Sequence, residues 1–386
     1  MTAKPRIFTP TFALLCGATL CFFLSQGLLV PSLPRYAASK GISPFEIGVV
    51  LGAYFPSAIL LRPFVGREID RRSRKMFTTV GLIFSALACF AYPFANGVIT
   101  LVAVRLLHGV AIASFYSGAA TLTADLAPAS RRAEALSYFS MLLYAGSAIG
   151  PSVAEFLINV GGFRASFWAS AVLSATGLVI SRFLVEPPVQ QVDEPKGRLF
   201  HPAVTFPGVV LTCASIAWAA TTFIPLYAGE GRGGSGVYYL TSSVTVLVMR
   251  LFVGRIADTY GRAAVIVPGT FIVSVALGVL SVSSGRPILI TGALLFGIGW
   301  AALYPGLLSL TVDRVPPWQR GSALGTLTAA FDLSTGIGNP LLGLVIQAAG
   351  FPVMFIVGAV GPLVAGISFL MLRRRSDETY PTHEAA

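Results

Sequence analysis

The sequence predicts an all-α membrane protein, with twelve transmembrane helices in two six-helix bundles related by a parallel pseudo-twofold repeat. Three observations carry that expectation. Of 386 residues, 55% are hydrophobic and only 11% are charged, against roughly 25% charged in a typical soluble protein. The apolar residues fall in long blocks, and ~20 residues are what an α-helix needs to cross a ~30 Å hydrocarbon core. Short charged and glycine-bearing stretches of the first half also return in the second, at an offset of 188 residues.

The spans follow in order. The first, 9–33, comes after Lys4 and Arg6; its apolar run exceeds the ~7–15 residues of a signal peptide, so it is read as a retained helix. Span 46–65 runs into the charged stretch FVGREIDRRSRK, and 77–95 is an uninterrupted apolar block. Span 98–124 is long enough to tilt or kink and carries Arg105 and His108. Span 135–158 contains the row Gly146, Gly150, Pro151, and 165–185 follows the turn Gly162-Phe163. In the second half come 203–227, then 237–256, which runs into FVGRIADTYGRA, then 263–283 and the long 287–312. Span 321–348 holds Asp332, and 353–372 follows Gly350-Phe351 and stops at Arg373–Arg375.

The formal net charge of +11 could suit a phosphate backbone, but its distribution excludes nucleic acid. If the spans alternate, Lys4, Arg6, the Arg67–Lys75 stretch, Arg131, Arg132, Arg182, Lys196, Arg198, Arg255, Arg262, Arg314, Arg320 and Arg373–Arg375 share one side. The other side receives only Arg35, Lys40, Arg164, Arg232 and Arg286. Cationic loops stay in the cytoplasm, so both termini are expected there, in a bacterial-type inner membrane. The cysteines Cys16, Cys21, Cys89 and Cys213 all lie within spans; they show neither metal-ligand spacing nor a disulfide framework, and no metal site is expected.

The repeat divides the chain. Gly66, Arg67 and Asp70 return as Gly254, Arg255 and Asp258; Asp125, Pro128 and Arg132 return as Asp313, Pro316 and Arg320. Gly150 maps to Gly338, Gly162-Phe163 to Gly350-Phe351, and Phe167 to Phe355. Six spans per copy keep both copies in one orientation, a known plan of secondary transporters. The expected domains are a bundle at 1–185, a Pro-rich charged linker at 186–202, a second bundle at 203–373 and a cytoplasmic tail at 374–386.

The motifs carry a definite resemblance. Gly66-x-x-x-Asp70-Arg71-x-x-Arg74-Lys75 resembles the loop motif of the major facilitator superfamily, and Gly254-x-x-x-Asp258-x-x-Gly261-Arg262 resembles its second-half copy. Arg105-x-x-His108-Gly109 is similar to the family's fourth-helix motif. Gly146-x-x-x-Gly150-Pro151 resembles the fifth-helix motif of its cation-exchanging exporters, except that Ala154 and Glu155 stand where the family pattern continues with two glycines. The likeness covers essentially the whole chain. It implies a twelve-helix, proton-antiporter type of transporter whose cavity is lined by spans one, four, seven and ten. Carried over, that lining points to Gln26, Arg105, His108, Phe115, Tyr116, Trp218, Thr221, Thr222, Trp300 and Tyr304.

The same residues have physical readings. Small Gly66 and Gly254 let helices approach, while Asp70 and Asp258 can face a helix N-terminus; with Arg71, Arg74, Lys75, Gly261 and Arg262 they are expected to form a cytoplasmic gate. The fuller cation set of the first copy predicts that Asp70→Asn impairs function more than Asp258→Asn. Charged residues within a span imply function, since their insertion costs ~2.5–3.5 kcal/mol even on lenient scales. Asp332 is the expected proton carrier, because burial disfavours a charged carboxylate. Arg105 and His108, three apart and so on one helix face, are candidates for proton coupling or for holding an anionic group. Glu155 is a further candidate near the outer end of its span. Gly146, Gly150 and Pro151 are expected to form a seam between the bundles.

There is no phosphate loop, no His-Glu-x-x-His and no nucleophile elbow, so no enzyme and no cofactor are expected, and the energy is expected to come from an ion gradient, read here as protons. The expected function is proton-driven export of a small organic molecule by a monomer in the lipid bilayer. The alternatives are proton-coupled uptake of a sugar or organic acid, or a membrane sensor or scaffold that moves no solute.

Overall fold

The structure is a computed structural model describing residues 7–71, 73–128, 131–187, 204–229, 234–282, 285–315 and 319–379. Of the expected linker only Glu186 and Pro187 belong to that set, and the end of the expected tail lies outside it. Within it every regular element is helical: α1 (Pro10–Ser39), α2 (Pro44–Gly52), α3 (Tyr54–Arg71), α4 (Arg74–Ala91), α5 (Val98–Leu126), α6 (Arg132–Arg182), α7 (Thr205–Thr221), α8 (Ile224–Tyr227), α9 (Ser235–Tyr260), α10 (Ala263–Val282), α11 (Arg286–Asp313) and α12 (Arg320–Thr379). Ten helical stretches among the described residues are long and apolar enough to cross a membrane. The chain is therefore a multi-pass membrane protein.

Local sequence sets the helix starts. Thr9 accepts from the Phe12 amide at the head of α1, and Ser73 accepts from the Met76 amide at the head of α4; each satisfies an amide that the helix leaves unpaired. Ser43 and Glu46 form a reciprocal cap on α2, the Ser43 amide donating to Glu46 at 2.9 Å and the Glu46 amide to Ser43 at 3.4 Å.

Three departures from the expected spans have physical causes. The second span is split into α2 and α3 at Ala53. The expected pairs 135–158/165–185 and 321–348/353–372 each lie in one long helix, α6 and α12, bent where Gly162 (φ 71, ψ −175) and Gly350 (φ 79, ψ 177) leave helical geometry. Only glycine adopts that backbone region without strain, and the two positions are repeat equivalents. The stretch FVGREIDRRSRK, read as a loop, continues α3 as far as Arg71, and its second copy continues α9 as far as Tyr260.

The chain forms two compact units, Met1–Ile42 with Ala53–Val192, and Ser43–Gly52 with Asp193–Ala386. In the first, Phe22 and Phe115 stack at 3.9 Å in a core that includes Leu15, Phe23, Leu82 and Phe139. Helices α1 and α6 cross there with their backbones in close contact. A Cβ on Gly146 would meet the Phe23 carbonyl carbon at 2.5 Å, and one on Gly150 would meet the Gly27 Cα at 2.5 Å. This corrects the expected seam: the glycine face is filled by α1 of its own unit, because glycine is what lets the two backbones touch.

In the second unit α7 packs along α12, where the Ser334 hydroxyl donates to the Thr212 carbonyl at 2.6 Å. The helix α2 belongs to this unit and not, as expected, to the N-terminal bundle. Added Cβ atoms on Gly48 and Gly343 would run into the Asn339 and Pro44 carbonyls, so glycine-enabled backbone contact binds α2 to α12.

Candidate functional site

Each unit carries its own cluster of candidate residues. In the first, α1, α4, α5, α6 and the 3₁₀ turn Tyr92–Phe94 bring polar side chains into an apolar interior. Gln26 Nε2 lies 2.7 Å from His108 Nε2 and donates to Ser85 Oγ at 3.4 Å. His108 Nδ1 lies 3.1 Å from the Tyr92 hydroxyl. Beyond Ser85, hydroxyls continue to Ser174 at 2.9 Å and to Ser25 at 2.9 Å. The Ser25 hydroxyl donates to the Ser170 carbonyl at 2.9 Å. The Arg105 guanidinium stacks over the Tyr54 ring at 4.6 Å, and the His108 ring meets the same ring edge-on at 5.8 Å. The spacing of Arg105 and His108 thus does place them on one face, around Tyr54.

Burial separates these residues. His108 is 0% exposed, whereas Gln26 and Arg105 are half-buried. Phe115, expected on a cavity wall, is instead fully buried against Phe22; ring stacking in the core fixes its direction. Its neighbour Tyr116 is 41% exposed and meets Phe139 edge-on. Glu155 is half-buried on α6, ahead of the bend at Gly162.

The second unit is aromatic where the first is polar. Trp218 on α7 lies 5.0 Å from Trp300 on α11, and Trp300 stacks on Tyr304 at 5.9 Å and on Phe296 at 5.8 Å. Phe331 of α12 closes this group at 5.9 Å from Tyr304. The next residue, Asp332, is buried at 4% exposure inside an apolar helix, where a carboxyl group signals function by default. Thr222 donates to Asn339 Oδ1 at 2.7 Å, while the Thr221 carbonyl accepts from the Tyr239 hydroxyl at 2.7 Å.

The charged motifs lie at helix ends. Arg74 Nε pairs with Asp125 at 3.0 Å, and its repeat equivalent Arg262 pairs with Asp313 at 3.2 Å and with Asp258 at 2.8 Å. The side chains of Gly66, Asp70 and Arg71 lie outside the described residues, and Gly254 and Gly261 are exposed, with nothing close enough to meet an added Cβ.

Glu186 was not foreseen. Its carboxylate accepts from the Arg74 amide at 2.6 Å, the Lys75 amide at 3.4 Å and the Ser73 hydroxyl. Lys75 Nζ returns donors to the Arg182 and Leu184 carbonyls at 2.9 and 2.6 Å. A carboxylate thus caps the positive end of α4 and an ammonium the negative end of α6. Its only sequence signal was an acidic residue just past a span.

Comparison with known proteins places these features in a family context. The model of the Major Facilitator Superfamily matches residues 15–249 and 236–386. The staphylopine export protein of Staphylococcus aureus is 25% identical, over 91% of this chain and 94% of its own. An uncharacterised MFS-type transporter of Methanocaldococcus jannaschii is 24% identical over 92% of this chain and 96% of its own. Among solved structures, the nucleoside transporter NupG shares the fold with a TM-score of 0.76, at 16% identity, over 95% of this chain and 100% of that one.

Proposed function

The chain belongs to the major facilitator superfamily and is a membrane transporter rather than an enzyme; from that premise we propose that it exports a small organic molecule in exchange for protons, by alternating access. The observation that carries the reading is Asp332, a carboxyl group buried at 4% exposure in an apolar helix beside Phe331 of the aromatic cluster. Protonation from the outer side discharges the substrate, and release of the proton to the cytoplasm resets the site. The direction draws on the staphylopine exporter, 25% identical over nearly the full length. Arg105, with its guanidinium over Tyr54, balances the empty site or grips an anionic group.

The topology of the proposal has twelve crossings in two bundles. Helix α6 has 51 residues and α12 has 60; at ~1.5 Å per residue each is more than twice the ~30 Å core, and each bends at a glycine near its middle. Both termini then face the cytoplasm, the protein sits in the inner membrane as a monomer, and the proton gradient replaces any cofactor. The test is transport by purified protein in proteoliposomes under an imposed pH gradient. Asp332→Asn should abolish gradient-driven exchange while leaving the protein folded. Full retention of gradient-driven transport in that variant would remove Asp332 as carrier, and net movement of solute together with protons would replace export by uptake.

A further inference from the structure

The chain of hydrogen bonds in the first unit has one end that can only accept, and this settles the proton positions along it. The Ser170 carbonyl has no hydrogen, so the Ser25 hydroxyl donates to it at 2.9 Å. A hydroxyl has one hydrogen. Ser25 therefore accepts from Ser174, which lies 2.9 Å away, and Ser174 accepts from Ser85, also at 2.9 Å. With its hydrogen committed, Ser85 must accept from Gln26, whose amide nitrogen lies at 3.4 Å. The second hydrogen of that amide points at His108 Nε2, 2.7 Å away. An imidazole nitrogen facing an N–H donor has to be unprotonated. The remaining hydrogen of a neutral ring is then on Nδ1, where it is donated to the Tyr92 oxygen at 3.1 Å. Reversing the chain would leave the Ser25 and Ser170 oxygens 2.9 Å apart with no hydrogen between them.

We propose that Ser85 and Ser174 are positioning residues that orient the Gln26 amide, hold His108 in the Nδ1–H form, and make Gln26 a latch that must turn before His108 can take a proton. The amide oxygen of a turned Gln26 would accept from Nε2–H and support an imidazolium. Among the described residues, the other titratable or charged groups around the ring are Arg105 on its own helix, Tyr54 on α3 and Tyr92 on the 3₁₀ turn, with Cys89 of α4 at the far end, 3.6 Å from Ser25. None of these supplies a carboxylate to hold an imidazolium, so the orientation of Gln26 decides. Moving a proton through His108 therefore requires α1 and α5 to adjust together. That consequence for coupling rests on the transport reading above; the tautomer does not.

The experiment is ¹⁵N NMR of the full chain in lipid bilayers. The protein has 3 histidines, so changing His201 and His383 to Gln leaves a single reporter. The unaltered site should show a protonated Nδ1 and a pyridine-type Nε2 at neutral pH. In Ser85→Ala the two nitrogens should exchange character, and Ser85→Thr, which keeps the hydroxyl, should restore the original pattern. Ser174→Ala provides the same reading one hydroxyl further away if Ser85→Ala does not fold. In proteoliposomes the pH profile of transport should move to higher pH in Ser85→Ala and return in Ser85→Thr. A protonated Nε2 in the unaltered site, or an unchanged tautomer in folded Ser85→Ala and Ser174→Ala, would overturn the proposal. A correct tautomer with no transport in any form would leave the proposal standing and count against the export reading alone.

Discussion

Phe115 and Tyr116 are adjacent on α5 yet have opposite surroundings, one stacked at 3.9 Å on Phe22 and fully buried, the other 41% exposed. Successive helical residues point ~100° apart, so membership of a cavity-lining helix could not decide which of them faces a cavity. Removing the Phe115 ring should lower stability by about 3–5 kcal/mol, as large-to-small changes in a packed core do. Tyr116→Ala should stay under ~1 kcal/mol, as for a surface substitution. Thermal unfolding of the two variants in detergent checks the order. A similar blindness hid Gln26 and His108, which were named separately from the sequence. They are 82 positions apart and 2.7 Å from each other, and no local pattern announces such a pair.

At the level of elements, the duplicated charged stretch reads differently once its helices are drawn. Its first copy is the end of α3 followed by the capped start of α4, and Glu186 binds that start from just beyond α6. Glu186→Gln exchanges an ionised acceptor for a neutral amide, and should cost about 0.5–2 kcal/mol, the range for a lost cap. Amide hydrogen exchange should rise in the first turn of α4 and at the end of α6, and nowhere in the second unit. The glycine row in α6 also belongs to this scale. Gly146→Leu should push α1 off α6 and lower the yield of folded protein sharply, because the atom it would strike at 2.5 Å is backbone and cannot rotate away.

Across the whole molecule, the pair of Arg74 with Asp125 recurs at the repeat positions as Arg262 with Asp313, and Arg262 also holds the more exposed Asp258. Arg74 and Asp125 have side-chain exposures of 11% and 33%, while Asp258, bound by Arg262, is 72% exposed. An exposed pair contributes about 0–1 kcal/mol, and screening weakens a pair less where the cation is enclosed, as Arg74 is at 11% exposure. Asp125→Asn should therefore reduce stability and transport well beyond Asp258→Asn, measured side by side by unfolding and by proteoliposome flux. Residues Ser43–Gly52 group with the second unit and Ala53 onward with the first, so one expected span serves both. Gly48→Val should loosen α2 from α12, read as faster amide exchange across Pro44–Gly52.

The family, the membrane setting and most span positions were legible in the amino-acid sequence. Bilayer thickness sets a length that apolar runs must match, and the charged ends of those runs are local in the chain. Helix bends at Gly162 and Gly350 were foreshadowed by the repeated Gly-Phe turns. The tertiary structure alone decided that Gly146 and Gly150 serve α1, that Phe115 is core, that α2 joins α12, and that a chain of serine hydroxyls reaches His108 through Gln26. Each of these depends on which distant backbone fills a helix face, and a helical pattern specifies the face without naming its partner.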